Sequence, residues 1–266
     1  ALLREMLHQR VRDGVLLRLI GKWLKAGVME EGCVYHLETG TPQGGVISPL
    51  LANIYLHVVL DLWFEHEVRP RLRGRAHLVR FADDFVIVFE NEADAREVMA
   101  VLPKRFGKYG LRLHPEKTLL VDFRRPPPGD AGEGGRSFDL LGFTHYWGRS
   151  KKRKWVVQRK TMKSRFTRAV RAISQWCRAH RHEPMIVQHR ALSLKLRGHD
   201  AYYGITGNHL ALARLRRRVA RVWHEWLSRR SGHAYVTWER MSVLMERFRL
   251  PPARVVHSMV ARAANP

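Results

Sequence analysis

Residues 76–89, Ala-His-Leu-Val-Arg-Phe-Ala-Asp-Asp-Phe-Val-Ile-Val-Phe, constrain this chain more than any other stretch. Two β-prone runs, 78–81 and 85–89, flank the pair Asp83 and Asp84. Short runs rich in Val, Ile and Phe read as strands. Aspartate is disfavoured in strands and at home in turns, so the pair belongs at a hairpin tip. Adjacent carboxylates repel, and apolar walls make each charge more costly. A divalent cation removes that cost. Mg²⁺ takes hard oxygen ligands, typically a carboxylate or two plus substrate phosphates. A rigid hairpin aiming carboxylates at one point suits two-metal phosphoryl chemistry. The plainer alternative is an ordinary turn whose Asp side chains bond nearby amides.

Charge divides the chain. Its 266 residues carry a formal net charge of +24, which points to a polyanionic partner. Residues 1–142 are nearly neutral, with 20 Lys+Arg against 19 Asp+Glu, whereas 143–230 hold 23 against 3. A catalytic body followed by a nucleic-acid clamp accounts for that split. The two cysteines, Cys33 and Cys177, form neither a metal-ligand spacing nor a disulfide framework, as in a reducing interior. No apolar run reaches the roughly 18 residues of a membrane span, and no secretory signal opens the chain. The expected compartment is a bacterial-type cytoplasm, with the nucleoid as an associated site.

Apolar spacing predicts helices over 1–12 and from Asp13, its cap, toward Gly27. Residues 33–39 read as a short strand. Residues 40–45 hold three glycines and a proline, a plain loop or one over which a template base and a nucleotide pass. Ser48 and Pro49 predict a cap and first residue for a buried helix reaching about Glu67. Asn91 caps the next helix, with Asp94 reinforcing its first turn. Residues 111–120 read strand, turn, strand. Residues 124–137 hold three prolines and four glycines, an exposed loop. Strands over 138–146 and 155–157 flank the basic turn Arg149-Ser150-Lys151-Lys152-Arg153-Lys154. Amphipathic helices over 161–181, 185–203 and 209–229 follow, then a shorter one within 232–250.

Several of these motifs carry a resemblance. The stretch 40–56, Gly-Thr-Pro-Gln-Gly-Gly-Val-Ile-Ser-Pro-Leu-Leu-Ala-Asn-Ile-Tyr-Leu, followed by Phe81-Ala82-Asp83-Asp84, resembles the palm of reverse transcriptases. It is most similar to the group II intron reverse transcriptase/maturase family, with Phe81 where the family usually has Tyr. His114-Pro115-Glu116-Lys117-Thr118 resembles the family's lysine block, and Leu141-Gly142-Phe143 its primer grip. Tyr202-Tyr203-Gly204-Ile205-Thr206-Gly207-Asn208 resembles its thumb, or maturase X region. The resemblance implies an α+β fold, a partial palm over 1–147 and a basic helical thumb over 148–266. It implies an RNA-directed DNA polymerase with intron RNA binding and a maturase role. Asp83 and Asp84 would be catalytic and hold Mg²⁺. Pro42, Gln43, Gly44, Gly45 and Phe81 would shape the nucleotide and template pocket. Lys117 would stand near the triphosphate, although a solvated turn lysine fits the sequence as well. Leu141 and Gly142 would grip the primer. Lys151, Lys152, Arg153, Lys154, Arg165, Arg168, Arg216, Arg217 and Arg218 would track RNA phosphates. Tyr202 and Tyr203 either stack on bases or pack as core, and their helical positions favour the core.

The family's palm has a further catalytic aspartate upstream, and Ala1-Leu2-Leu3 resembles the segment just after it. The chain therefore resembles the C-terminal two-thirds of such a protein, with an upstream polypeptide completing the palm. The implied partners are template or intron RNA, an RNA/DNA primer duplex and dNTPs. Two other readings stand beside the polymerase. One is a non-catalytic RNA-binding splicing cofactor, and the other is an inactive fragment.

Overall fold

The computed structural model describes residues 2–25, 28–30, 33–35, 47–127, 137–150, 152–231 and 235–257. The chain divides into two compact units, Ala1–Leu120 and Val121–Pro266. Among the described residues it is a mixed α/β protein of helices and small antiparallel sheets. The division between the units thus falls before the strands over 138–161.

In the first unit, α1 (Leu2–His8) and α2 (Gly14–Lys25) precede a hairpin of β1 (Val28–Glu30) and β2 (Cys33–Tyr35). Asp13 caps α2 by accepting from the Val15 and Leu16 amides, at 2.7 and 3.2 Å. Leu7, Leu17 and Ile20 close a small core with Leu51 of α3 (Ser48–Leu56). Ser48 lies inside α3; Ile47 occupies the cap position, without a side-chain cap bond, and Pro49 the first turn. The expected long helix runs on as π-helix over His57–Leu62 and Phe64–Val68.

The strands β3 (Ala76–Phe81) and β4 (Asp84–Phe89) pair antiparallel, with Phe81 opposite Asp84 and Ala76 opposite Phe89. Period-two alternation splits their side chains between two faces. Ala76, Leu78, Phe85, Ile87 and Phe89 pack against Leu60, Trp63 and Phe64 of the π stretch and against Val98, Leu102 and Phe106 of α4 (Glu92–Lys108). Val79, Phe81 and Val88 lie on the opposite, exposed face. Asn91 caps α4 through the Ala93 amide. Asp94 does more than reinforce that turn: it is buried and accepts from the Arg73 and Gly74 amides, at 3.0 and 2.9 Å, holding the connection into β3. Residues 111–120 form no strand. Strands need a partner for their backbone groups, and none is offered here among the described residues; only the turn at 114–118 forms.

The second unit opens with an antiparallel sheet in the order β5 (Phe138–Leu140), β6 (Phe143–Arg149), β7 (Trp155–Thr161). Four helices follow: α5 (Lys163–Ala179), α6 (Met185–Tyr203), α7 (His209–Leu227) and α8 (Trp238–Arg247). Their core gathers Ile173, Cys177, Leu192, Leu196, Leu215, Val219, Val222, Trp223, Leu227 and Met241. The Trp223 indole donates to buried Gln188 at 2.8 Å, and the Gln188 amide donates to the Glu183 carbonyl at 2.8 Å. A buried polar pair of this kind stabilises only when both ends are satisfied.

Candidate active site

Asp83 sits in the two-residue loop between β3 and β4, while Asp84 is the first residue of β4. The pair therefore straddles the turn, and only Asp83 is a loop residue. Both are exposed, and neither carboxylate has a hydrogen bond or ion pair to another described residue. Ala82 takes φ of 52°, a left-handed conformation that costs an ordinary residue about 1–2 kcal/mol. The flanking ring, Phe81, is 67% exposed.

The turn is held from behind by residues whose role the sequence did not reveal. Arg80 points to the packed face of the hairpin. Its Nε and Nη2 each lie 2.7 Å from the two oxygens of Asp61, a bidentate pair. Its Nη1 donates to the Asn53 side-chain oxygen and to the Ala82 carbonyl, both at 2.8 Å. Burial pushes the Asp61 carboxyl up, but hydrogen bonds from Arg80 and His57 and the Arg80 charge more than reverse this, leaving it below the ordinary carboxylate value. The hydrogen bond to Asp61 raises the Arg80 guanidinium above its usual value. An Arg directly before the Asp turn, with an Asp in the preceding helix, was the available signal.

Hard carboxylate oxygens that no other described group engages are a suitable donor set for Mg²⁺, which needs few protein ligands. Among the described residues, no cluster of three or more His, Cys, Asp or Glu side chains could hold a metal. The pair Asp83 and Asp84 is thus the donor set offered at the turn.

Lys117 is exposed on a tight turn where the His114 carbonyl accepts from the Lys117 amide at 3.2 Å, and from the Thr118 amide and hydroxyl at 3.0 and 2.8 Å. Pro42, Gln43, Gly44 and Gly45 lie outside the described residues, as does Lys151.

In the second unit, Leu141 and Gly142 form the β5–β6 turn with φ of 50° and 79°. Positive φ at both central residues matches the twist of a tight hairpin. The Tyr202 hydroxyl donates to the Leu141 carbonyl at 3.0 Å. Tyr202 stacks on Phe143 with ring centroids 5.9 Å apart, and Tyr203 leans on the same ring at 5.2 Å. Asn208 donates to the Tyr203 carbonyl and the Thr161 hydroxyl, both at 2.8 Å. The motif over 202–208 is thus the seat of the Leu141–Gly142 turn.

Lys152, Arg153 and Lys154 are exposed on the β6–β7 turn. A groove of about 500 Å³ between α5 and α7 is lined by Phe166, Thr167, Val170, Arg214, Arg217, Arg218 and Arg221. Arg168 is exposed, and Arg165 half-buried. Arg216 is committed elsewhere: it donates to the Pro251 and Leu250 carbonyls, at 2.9 and 3.0 Å. Arg214 and Arg221 also line the groove, one helical turn to either side of Arg217 and Arg218. No helix among the described residues is long and apolar enough to cross a membrane.

The model of one family, reverse transcriptase (RNA-dependent DNA polymerase), matches residues 2–145. The group II intron-encoded protein LtrA of Lactococcus lactis subsp. cremoris is 48% identical over 110 residues, covering 38% of this chain and 18% of that protein. Protein YkfC of Escherichia coli K12 is 33% identical over 149 residues, 45% of this chain and 38% of that protein. The telomerase reverse transcriptase of Oryzias latipes is 25% identical over 139 residues, 52% of this chain and 12% of that protein. The chain thus spans well under half the length of these curated relatives. With a family model covering more than half of its length, the chain belongs to the reverse transcriptase (RNA-dependent DNA polymerase) family, and it is similar to group II intron-encoded proteins.

Proposed function

We propose that this chain carries part of an RNA-directed DNA polymerase of the group II intron type, with the hairpin of β3 and β4 as the aspartate hairpin of its palm. The observation that carries this reading is the pair of exposed, unengaged carboxylates, Asp83 and Asp84, at a turn clamped from behind. Asp83 and Asp84 would hold Mg²⁺. When bound, the metal would activate the primer 3′-hydroxyl and offset charge on the leaving pyrophosphate. Phe81 offers an exposed ring beside that point for the nucleotide or template base, in concert with Pro42, Gln43, Gly44 and Gly45. Lys117 would donate a proton or positive charge to the leaving group. The turn at Leu141 and Gly142 is the proposed primer grip. Residues 148–266 make the proposed thumb, although its sheet begins at Phe138. Template or intron RNA, a primer duplex and dNTPs are the proposed partners, in a cytoplasmic setting.

The test is primer extension on an RNA template with Mg²⁺, comparing the chain with its Asp83→Asn variant. Extension lost in the variant while RNA affinity holds supports the assignment. An Asp83→Asn protein with full activity sinks it.

A second reading, an RNA-binding maturase role, is favoured by the α5–α7 groove with its four arginines around Phe166. Phosphate tracking by Arg214, Arg217, Arg218 and Arg221 makes affinity fall steeply with salt, by counterion release. A binding constant that ignores salt between 50 and 200 mM would argue against it.

A further inference from the structure

We infer that Arg80, held by Asp61 and Asn53, is a positioning residue that fixes the Ala82–Asp83 peptide and so aims the Asp83 carboxylate. The inference rests on the proposed metal role of Asp83 and extends it to side chains that touch neither metal nor substrate.

One guanidinium makes four hydrogen bonds of 2.7–2.8 Å: two to Asp61, one to Asn53, and one to the carbonyl of Ala82. That carbonyl belongs to the peptide leading into Asp83. Arg80 is well enclosed, with 13% of its side chain exposed, and Asp61 has 26%. A bidentate pair shielded to this degree locks the planar fork in orientation as well as position. The remaining donor then fixes one peptide plane of a turn that Ala82 enters at φ of 52°. Left to itself an alanine avoids this conformation, so an external hold on its carbonyl has a job to do.

The helix behind is shaped for the same contact. Asn53 and Asp61 are separated by more than the roughly 7.2 residues of two α-turns, so a regular helix would splay them. The π segment His57–Leu62, with its wider i→i+5 turns, absorbs the surplus and brings both side chains to one guanidinium. Its neighbouring carbonyls are also secured. Arg105 of α4 donates to the Val59 carbonyl at 3.0 Å and stacks on Tyr109 at 4.5 Å. Tyr55 donates to the Tyr109 carbonyl at 2.6 Å. The clamp is anchored at both ends, in the hairpin and in a helix that is itself tied to α4.

The test replaces Mg²⁺ with Fe²⁺, adds hydrogen peroxide as oxidant and ascorbate to return Fe³⁺ to Fe²⁺, and reads hydroxyl-radical cleavage of the backbone, which reports metal at the turn without needing catalysis. The chain, Arg80→Lys, Asn53→Ala, Asp83→Asn and a control, Glu65→Gln, are titrated with Fe²⁺ well below their melting temperatures. Glu65 pairs with Arg69 on the exposed side of the same helix. A lysine keeps the charge but cannot make the fork and the Ala82 contact together. Supporting residues behind a metal ligand are worth about 10–100-fold in affinity. Arg80→Lys should therefore raise the Fe²⁺ midpoint for cutting near residue 83 at least tenfold, and Asn53→Ala by less. Glu65→Gln should leave it unchanged. A purely structural role would lower the melting temperature and leave the midpoint of the folded protein where it was. Wild-type cutting with an unshifted midpoint in both Arg80→Lys and Asn53→Ala overturns the clamp alone. Absence of any Asp83-dependent cut in the wild-type chain overturns the metal assignment and the clamp with it.

Discussion

Gly142→Ala should destabilise the second unit by about 2–3 kcal/mol, and the structure provides both parts of that figure. Gly142 sits at φ of 79°, where an L side chain costs about 1–2 kcal/mol. A Cβ built there would lie 3.0 Å from the Tyr203 hydroxyl oxygen and 3.5 Å from its ring. The ring cannot retreat freely, because Tyr203 also packs on Phe143, Tyr202 and His199. Forcing it aside adds about 1 kcal/mol, the low end for overpacking. For a unit of about 150 residues this lowers Tm by about 5–10 °C. Calorimetry of the chain and the variant reads the shift directly. Leu141→Asn is the opposing arm. Leu141 holds φ of 50°, and asparagine tolerates that region far better, so the substitution should be neutral or stabilising by up to about 1 kcal/mol. A Gly142→Ala protein that melts within about 1 °C of its parent would refute the turn geometry and its seat on Tyr203.

Three further outcomes are expected. Ala82→Gly relieves a left-handed alanine and should raise stability of the first unit by up to about 1 kcal/mol in urea unfolding, whereas Ala82→Val should lower it. His199 has both ring nitrogens buried without hydrogen-bond partners, and burial lowers its pKa below 6.5 against a weaker pull from the Asp200 carboxylate 4.0 Å away; His145 is lowered by burial and by the Arg159 charge. The folded state therefore binds fewer protons than the unfolded one, so stability present above pH 6.5 is lost as pH falls through the folded-state values, and His199→Phe should flatten the urea midpoint between pH 7.5 and 5.5. Cys177 is fully buried and burial pushes its thiol up to about 12, so in a Cys33→Ser background iodoacetamide should label it only when the bundle unfolds.

The local structure of the candidate site is legible along the chain because its determinants are local. Alternating Val, Ile and Phe around an Asp pair specify a hairpin whatever surrounds it, and β3 and β4 form there. Helical periodicity marks α5 and α7, because each buries one stripe and exposes a basic face. In α6 the expected stripe is split: Leu192 and Leu196 are buried, but Ile186, Val187 and Leu194 are exposed and Gln188 is buried in their stead. The charge split is a matter of counting. Where sequence and structure part, a distant partner decided. Residues 111–120 have β-prone composition but, among the described residues, no strand to pair with. Asp94 looked like a helix-end charge and is a buried acceptor for two amides of another segment. Arg216 stands in a basic run beside Arg217 and Arg218, yet its guanidinium is taken up by carbonyls at 250 and 251. The Arg80 clamp joins residues 53, 61, 80 and 82 across a helix whose turn changes from α to π. Periodicity records which face of an element is apolar. It does not record which side chain a guanidinium will find once helix and hairpin are packed, so the aspartate pair belonged to the sequence and its aim to the tertiary structure.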